Sequence, residues 1–383
     1  MPRVPEHLFV SRVSNQLAVK RQPSHSISDS SIVIRMLAAG VCGTDLAMIG
    51  GARPCRAEVL GHEGVGIVLS CPKNSGIPEG ARVIINPVHR KQPENVIGHS
   101  RDGIFREVFC LETSDAVDGG LLVECRNEFS IRNADLALAE PIASVLYSFE
   151  LLRGKTKAPS LLIRGSGTIG VLAAKLWSMY DESSAVLVSN SEEHARRLRQ
   201  TCTWPENVRV CSIEASHFIS EDHTFPEFES AILCCSRRDA PRGFHFLMDS
   251  VKESATIDLM AGFPADYKED RIGGVDVDRI RWNNICGVQS GSPATTAVDQ
   301  RTGKVFNLIG HRGTSKHHIL QAIELLSRGT ISLADLPHRL LALKELPAAV
   351  DEMLPTGTRR NTKWIKAIVT FPQSDFGDTH GPD

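Results

Sequence analysis

The feature that most constrains the fold is a glycine-rich turn between an apolar run and a helical pattern. Residues 161–167 read LLIRGSG, a buried-strand sequence that ends in glycine, and residues 168–180 have apolar side chains at helical spacing. Gly165, Gly167 and Gly170 fit the pattern G-x-G-x-x-G in the strand–loop–helix context that the pattern requires. The sequence therefore predicts a unit that binds a dinucleotide.

The glycines of such a turn have distinct steric roles. Gly165 permits the tight turn, Gly167 lets backbone amides approach a pyrophosphate, and Gly170 lets the helix pack closely on the strand. Thr168 and Ile169 begin the helix, whose unpaired N–H groups and dipole attract negative charge. We therefore predict that the residues from Gly165 to Gly170 form the cofactor-binding loop.

The choice of dinucleotide depends on the end of the second predicted strand, residues 185–190. An acidic residue there would accept the ribose hydroxyls of NAD, but the chain has Ser189 and Asn190. Neither side chain repels a 2′-phosphate, and Arg196 and Arg197 follow on the next helix, so the sequence favours NADP(H) over NAD(H). The alternative is that these arginines belong to a solvated helix face and pair with glutamates four residues earlier.

The order of apolar patterns predicts two domains. Strands and helices alternate after residue 160, which is typical of a parallel, doubly wound sheet. Residues 1–150 contain short apolar runs separated by Gly and Pro, a pattern typical of β structure. We predict an α/β protein in which a cofactor-binding domain, residues 149–310, lies between two segments of a second domain, residues 1–148 and 311–383.

Composition excludes several classes of protein. The chain has 383 residues, 42% of them apolar and 23% charged, and a formal net charge of -2. This balance gives no overall field that would attract nucleic acid or an anionic membrane. The first residues lack a signal-peptide pattern, and there is no uncharged apolar run of about 18 residues. We therefore expect a cytoplasmic protein without a membrane anchor.

A thiol, an imidazole and two carboxylates occur in three short segments with glycine or proline neighbours. Cys42 lies in GVCGTD, His62 and Glu63 in GHEGVG, and Glu140 in AEP. This donor set suits a tetrahedral Zn²⁺ with one open position. Taken singly, a cysteine is more often a small core residue and a histidine more often only hydrogen-bonded. The ten cysteines contain no Cys-x-x-Cys pair, so a metal site must use scattered ligands.

These segments, in this order and together with Asp102-Gly103-x-Phe105 and the glycine turn, resemble the zinc-dependent medium-chain dehydrogenase/reductase family. The family contains alcohol, sorbitol and threonine dehydrogenases. The resemblance spans almost the whole chain. It implies a GroES-like β-barrel catalytic domain split around a Rossmann domain, with the active site in the cleft between them. It also implies a homodimer or homotetramer.

The resemblance also implies roles for individual residues. Cys42, His62 and a carboxylate would hold the catalytic zinc, and Glu63 and Glu140 compete for the third position. Thr44 matches the hydroxyl that relays the proton of the zinc-bound alcohol, so Cys42, Thr44 and His62 form the predicted catalytic set. Residues 88–103 contain no cysteine where some relatives hold a second zinc, so we expect no structural zinc.

Two basic segments bear on the substrate. The cysteine-free segment contains His99, and GHRGTSK after the last Rossmann strand contains Arg312 and Lys316. These side chains are candidates for binding an anionic substrate group, and the alternative is that both segments are solvated basic loops. The same stretches, together with Trp364-x-Lys366 near the C-terminus, resemble the ribulose-5-phosphate reductases within the family, although residues 282–303 look like an insertion.

The sequence thus predicts reversible hydride transfer between a nicotinamide cofactor and a secondary alcohol or ketone of a polyol or sugar, with a phosphorylated substrate as one form. An unphosphorylated cyclitol, sugar or simple alcohol dehydrogenase of secondary metabolism is the second hypothesis. A catalytically inactive nucleotide-binding protein is the third. Retention of the whole zinc donor set argues against the third.

Overall fold

The computed structural model describes residues 3–125, 131–153, 160–179, 184–214, 228–289, 292–354 and 362–372. Within these ranges, no helix is both long enough and apolar enough to cross a membrane.

Residues 3–125 form mostly short strands, as the spacing of Gly and Pro predicts. The strands are β1 (Arg3–Val4), β2 (His7–Val13), β3 (Gln16–Gln22), β4 (His25–Ser26), β5 (Ser31–Gly40), β6 (Glu63–Ser70), β7 (Arg82–Ile85), β8 (Val108–Glu112) and β9 (Leu122–Cys125). The helices in this part are α1 (Gly43–Ile49) and α2 (Thr113–Val117).

Helices and strands alternate through the middle of the chain. In order they are α3 (Asn133–Leu136), α4 (Ala139–Arg153), β10 (Ser160–Arg164), α5 (Thr168–Trp177), β11 (Ser184–Ser189), α6 (Glu192–Thr201), β12 (Val208–Ser212), β13 (Phe228–Leu233), α7 (Ala240–Ser250) and β14 (Val251–Leu259). The remaining elements are α8 (Val277–Ile280), β15 (Asn284–Ile285), β16 (Val288–Gln289), β17 (Thr295–Val298), β18 (Val305–Ile309), α9 (Lys316–Ser327), β19 (His338–Ala342), α10 (Leu346–Met353) and β20 (Lys366–Thr370).

The first large sheet joins the two ends of the chain. Its strand order is β19-β20-β5-β6-β7-β9, with β8 also paired to β5. The C-terminal strand β20 runs antiparallel to β5, and Ile368 lies opposite Gly40. β5 is buried along almost its whole length, because it has strands on both edges and packing on both faces. The sheet of the N-terminal part is therefore completed by residues from the C-terminal part.

The second large sheet is parallel and doubly wound, as predicted. Its order is β12-β11-β10-β13-β14-β18-β17, and its only antiparallel pair among the described strands is β17 with β18. Since β10 pairs with both β11 and β13, the strand order reverses at β10. In open α/β sheets, ligands bind beyond the carboxyl ends of the strands at this reversal. The glycine turn follows β10 and so lies at this point.

Helix α4 packs between the two sheets and carries part of the central core. Phe149 on α4 and Trp177 on α5 meet edge to face with ring centroids 4.9 Å apart. Both rings are buried in the same apolar cluster, which also includes Leu152, Leu172 and Ile323. Aromatic packing of this kind fixes α4 against the helix that begins at the glycine turn.

Replacing Trp177 tests this packing. We expect Trp177→Ala to lower the free energy of unfolding by about 3–5 kcal/mol, because it leaves a large cavity beside Phe149. Met179, on the same segment, is 46% exposed, so Met179→Ala should change stability by roughly 0.5 kcal/mol or less. Urea denaturation followed by fluorescence and circular dichroism measures both. Equal stability of the two variants would contradict the described packing.

Candidate active site

Cys42 is held at the start of α1 by a capping box. Its backbone is extended, and its thiol accepts a hydrogen bond from Thr44 N at 3.4 Å. Cys42 N donates in return to Asp45 Oδ2 at 2.9 Å. Such reciprocal bonds satisfy the free N–H groups of a helix N-terminus and fix the entry of the chain. The sequence Cys-Gly-Thr-Asp therefore orients the thiol through its own local hydrogen bonds.

His62 is positioned by a crowded turn. Gly61 has φ +89, and a side chain there would lie 2.6 Å from the Phe105 ring. Gly103 packs so closely that a Cβ on it would lie 2.2 Å from Gly61 O. Asp45 Oδ1 accepts from Gly61 N at 3.2 Å and lies 3.5 Å from His62 Nδ1. The Asp-Gly-x-Phe segment thus supports the turn that presents His62.

Glu63 forms a buried ion pair with Lys366. Lys366 begins β20, and its Nζ donates to Glu63 Oε2 and, at 3.2 Å, to Val41 O. The two side chains are only 1% and 4% exposed. No site role was predicted for Lys366. A lysine within the otherwise apolar strand WIKAIVTF was the available signal, because a buried lysine requires a partner.

The structure brings Cys42, His62 and Glu63 together. Each offers one ligand atom, and these atoms lie within 4.8 Å of one another. Glu140 stands in the first turn of α4, outside this set, and accepts from Ser144 Oγ at 3.3 Å. Burial, with the neighbouring Glu63 carboxylate, raises the pKa of Glu140 to about 7.

The pKa values of Cys42 and His62 are shifted by burial and by neighbouring negative charge, which a bound cation would offset. Burial and the nearby Glu63 raise the pKa of the Cys42 thiol. Burial lowers the pKa of His62, but Asp45 and Cys42 together raise it well above its ordinary value. A thiolate, an imidazole and a carboxylate match the ligands of a catalytic Zn²⁺, and a carboxylate behind the histidine matches the usual second partner of such a ligand. The residues present therefore fit zinc.

The glycine turn has the geometry required for phosphate binding. Gly165 has φ +127, and a Cβ on Gly170 would lie only 1.8 Å from Gly165 O. Gly167 is the N-cap of α5, and a Cβ there would meet nothing within 4 Å. Thr168 Oγ1 donates to Ile365 O at 3.2 Å, next to Lys366. The turn thus keeps open space before the helix N-terminus, close to the strand that holds Glu63.

The end of β11 contains a polar network that the sequence did not predict. Ser189 is buried and accepts from Ser166 Oγ at 3.0 Å. Asn190 accepts from the fully buried Arg164 and donates to Asp239 Oδ2 at 3.1 Å. Asp239 therefore places a carboxylate near a strand end that has no acidic residue of its own.

The two arginines of α6 differ in environment. Arg197 donates to Glu193 Oε1 at 3.2 Å and to Thr362 O at 2.7 Å. Arg196 is exposed. The paired-face interpretation therefore describes Arg197, whereas the side chain of Arg196, on the same helix, is exposed.

The predicted substrate residues are distributed unevenly. The His99 ring packs edge to face on His62 with centroids 4.7 Å apart, and the Arg312 guanidinium lies 3.9 Å above the Trp282 ring. Lys316 is exposed at the first position of α9. Arg101, in the same segment as His99, instead donates to Asp115 Oδ2 at 2.7 Å. Of these side chains, His99 is the one that touches the candidate metal ligands.

Comparison with known proteins begins with the N-terminal part. Residues 28–119 match the alcohol dehydrogenase GroES-like domain. A zinc-type alcohol dehydrogenase-like protein of Haemophilus influenzae is 28% identical over 178 residues, covering 42% of this chain and 49% of its own length. Sorbitol dehydrogenase of Bombyx mori is 27% identical over 181 residues, covering 42% and 50%. The chain thus spans about half the length of the curated relatives it matches.

Solved structures match across nearly the whole chain. A zinc-binding dehydrogenase from Sinorhizobium meliloti, bound to NADP, has a TM-score of 0.67 at 18% identity and covers 96% of this chain and 99% of its own. L-idonate 5-dehydrogenase from Escherichia coli has a TM-score of 0.68 at 16% identity, covering 97% and 99%. The predicted combination of a GroES-like barrel and a Rossmann sheet is confirmed.

Removing the lysine tests the buried ion pair. Lys366→Met leaves the Glu63 carboxylate buried without its cation, so we expect the free energy of unfolding to fall by about 3–5 kcal/mol. The double variant Lys366→Met, Glu63→Gln should recover part of this loss, because no charge is then stranded. Urea denaturation in the presence of a chelator isolates the effect from metal binding. Lys344→Met is the matched control on an exposed lysine, and an equal effect there would contradict the ion pair's role.

Proposed function

We propose that the chain is a zinc-dependent medium-chain dehydrogenase/reductase that transfers a hydride between a nicotinamide cofactor and a secondary alcohol or ketone. The observation that carries this proposal is the convergence of Cys42, His62 and Glu63 within 4.8 Å. Thr168, at the start of the predicted cofactor helix, contacts Ile365, and the next residue, Lys366, binds Glu63. The candidate ligands and the cofactor turn are therefore linked through one strand.

We propose that Cys42, His62 and Glu63 hold a single zinc ion, with Glu140 as the second carboxylate that approaches it. Three protein ligands leave one position for a substrate oxygen. Zinc bound there supplies Lewis-acid polarisation of a carbonyl and stabilisation of an alkoxide. Glu140 accepts from Ser144 Oγ and lies outside the three-residue set.

The proposed roles of the remaining residues follow from their contacts. Asp45 orients His62 from behind, and Lys366 fixes the Glu63 carboxylate. Thr44, two residues after Cys42 and half-buried, is proposed to pass the proton of the substrate hydroxyl. The turn from Gly165 to Gly170 is proposed to bind the pyrophosphate of the cofactor.

We propose NADP(H) as the preferred cofactor. The end of β11 carries Ser189 and Asn190 rather than an acidic residue, and Arg196 is exposed on α6, the helix that follows. The Asp239 carboxylate already accepts from Asn190 and, at 2.6 Å, from Ser236 Oγ, so less of it is free for ribose hydroxyls. NAD(H) is the alternative, and Asp239 is the residue that would favour it.

The proposed substrate is a polyol or sugar. The sorbitol and L-idonate 5-dehydrogenases among the similar proteins support this class. A phosphorylated form such as ribulose 5-phosphate is the finer proposal, and an unphosphorylated cyclitol, sugar or simple alcohol is the competing one. The homodimer or homotetramer, the cytoplasmic location and the domain limits at residues 148 and 310 stay predictions.

A substrate panel with both cofactors tests the proposal. We expect turnover of at least one polyol or ketose with NADPH or NADH, and loss of turnover and bound zinc in Cys42→Ala, because the thiolate ligand is missing. Zinc content by elemental analysis is the readout independent of activity. Cys71→Ala is the control, since the Cys71 thiol donates to Ile77 O at 3.0 Å, away from the site. Full zinc content and turnover in Cys42→Ala would refute the assignment.

Two glycine variants separate folding from cofactor binding. Gly167→Ala should leave stability nearly unchanged, because a Cβ there meets nothing, yet weaken dinucleotide binding by roughly tenfold or more. Gly170→Ala should destabilise the protein by about 1–3 kcal/mol, because its Cβ would strike Gly165 O. Fluorescence titration with NADPH and NADH, alongside thermal unfolding, measures both. Unchanged cofactor affinity in Gly167→Ala would place the pyrophosphate elsewhere.

A further inference from the structure

Four arginines from four separate segments lie close enough to act on one another electrostatically. One follows α1, one follows β13, one follows α8 and one follows β18. They are Arg53, Arg237, Arg281 and Arg312. Of these, only Arg312 was identified from the sequence. Arg53 and Arg312 are more than 250 residues apart in the chain, so only the fold brings the four together.

Two of the guanidinium groups stand side by side over Gly262. A Cβ on Gly262 would lie 2.6 Å from Arg237 Nη2 and 3.2 Å from Arg281 Nη1. Arg237 donates to Phe263 O, and Arg281 Nη1 donates to Asp278 Oδ1 at 3.4 Å. Arg281 Nε is buried without a hydrogen-bond partner in the described part of the chain. Because Gly262 has no side chain, both guanidinium groups fit above it. One of them, that of Arg281, has an Nε–H donor without a partner among the described residues.

The other two arginines contact aromatic rings. Arg53 Nη2 lies 3.5 Å from His99 Nδ1, and the His99 ring packs on His62. Arg312 lies against the face of Trp282 at 3.9 Å, which holds its planar group in place. Arg53 thus links the arginines, through His99, to a side chain that is proposed to bind zinc.

The cluster carries more positive charge than its carboxylates neutralise. Asp278 lies among the arginines, and Glu94 lies near Arg312. Burial and the neighbouring arginines lower the pKa of Arg53 and that of Arg312 to about 10 each. Guanidinium groups form forked, charge-assisted hydrogen bonds with phosphate, so a bound phosphate would offset this repulsion.

The position of the cluster in the sheet separates it from the phosphates of the cofactor. The glycine turn follows β10, whereas Gly262 follows β14 and Arg312 follows β18, two and three strands further along the sheet. Neighbouring strands are about 4.8 Å apart, so the cluster lies roughly 10–15 Å from the turn. The 2′-phosphate of NADP would lie on the opposite side, at the end of β11. The cluster is therefore at the end of the cleft where the substrate reacts.

We infer that Arg53, Arg237, Arg281 and Arg312 bind a phosphate group of the substrate, with His99 between this group and the zinc ligands. The substrate class is then a phosphate monoester of a polyol or ketose. This inference rests on the proposed function, because it takes the molecule bound beside Cys42 and His62 to be the reacting substrate. It replaces Lys316 of the sequence prediction with three arginines that the sequence did not indicate.

Calorimetric titration of the full chain tests the inference with ribulose 5-phosphate, ribulose and inorganic phosphate. We expect ribulose 5-phosphate to bind more tightly than ribulose, and inorganic phosphate to compete with ribulose 5-phosphate. Arg281→Gln and Arg53→Gln should each weaken binding of ribulose 5-phosphate by roughly 10- to 100-fold, the loss expected for a hydrogen bond to a charged group. Arg281→Lys, which keeps the charge without the fork, should give a smaller loss.

Arg328→Gln is the matched control. Arg328 is 69% exposed beside Glu324 at the end of α9, so its removal should leave phosphate binding unchanged. Circular dichroism checks that each variant is folded. If Arg281→Gln does not fold, Arg281→Lys still tests the inference. Equal affinity for ribulose 5-phosphate and ribulose, or unchanged affinity in both glutamine variants, would overturn the inference.

The same experiment distinguishes this inference from the proposed function. Arginine-dependent phosphate binding without turnover in the substrate panel would support the anion site and count against the dehydrogenase. Zinc-dependent turnover of an unphosphorylated polyol, with no binding of phosphate or ribulose 5-phosphate, would support the dehydrogenase and overturn the anion site.

Discussion

The buried ion pair between Glu63 and Lys366 is the interaction on which the rest of the site depends. It joins the strand that follows His62 to the last described strand of the chain, and both side chains are almost fully shielded from water. Removing one partner would leave the other charge buried and unpaired, which is strongly destabilising, so the ion pair ties β20 to its place next to β5. The carboxylate next to the histidine therefore acquires its position only when the C-terminal part has folded back.

The start of the C-terminal strand also links the glycine turn to the candidate zinc ligands. The residue before Lys366 accepts a hydrogen bond from Thr168, the first residue of the helix that opens at the glycine turn. One short stretch of backbone thus contacts the cofactor turn on one side and fixes a candidate zinc ligand on the other. Under the proposed function, the two reacting carbons must be held at close range, and a single strand end that contacts both candidate sites would serve that purpose.

Features encoded within a few consecutive residues were predictable from the sequence. The glycine turn and the thiol at a helix start depend on local backbone geometry, so Gly165 and Cys42 could be identified without a partner. The parallel sheet followed from alternation of strands and helices. Lys366 and Arg53 could not be identified in the same way, because each acquires its role from a residue far away in the chain: Glu63 for the lysine, the other arginines for Arg53. Arg197 is a residue whose sequence position suggested a role in cofactor binding. Its guanidinium donates instead to Thr362 O, a contact with a residue far along the chain that the sequence does not reveal.

A formal net charge of -2 conceals a sharp local separation of charge. The candidate ligand atoms of Cys42, His62 and Glu63 lie within 4.8 Å of one another, and Arg53 lies beside His99, whose ring packs on His62. Opposite charges at this separation attract different ends of one molecule, an oxygen to the metal position and an anion to the arginines. When a substrate is held at both its oxygen and its anionic group, the number of bonds between these two groups determines which carbon lies at the metal position. Under the proposed function, the distance between the arginine cluster and the zinc ligands would therefore select which hydroxyl is oxidised.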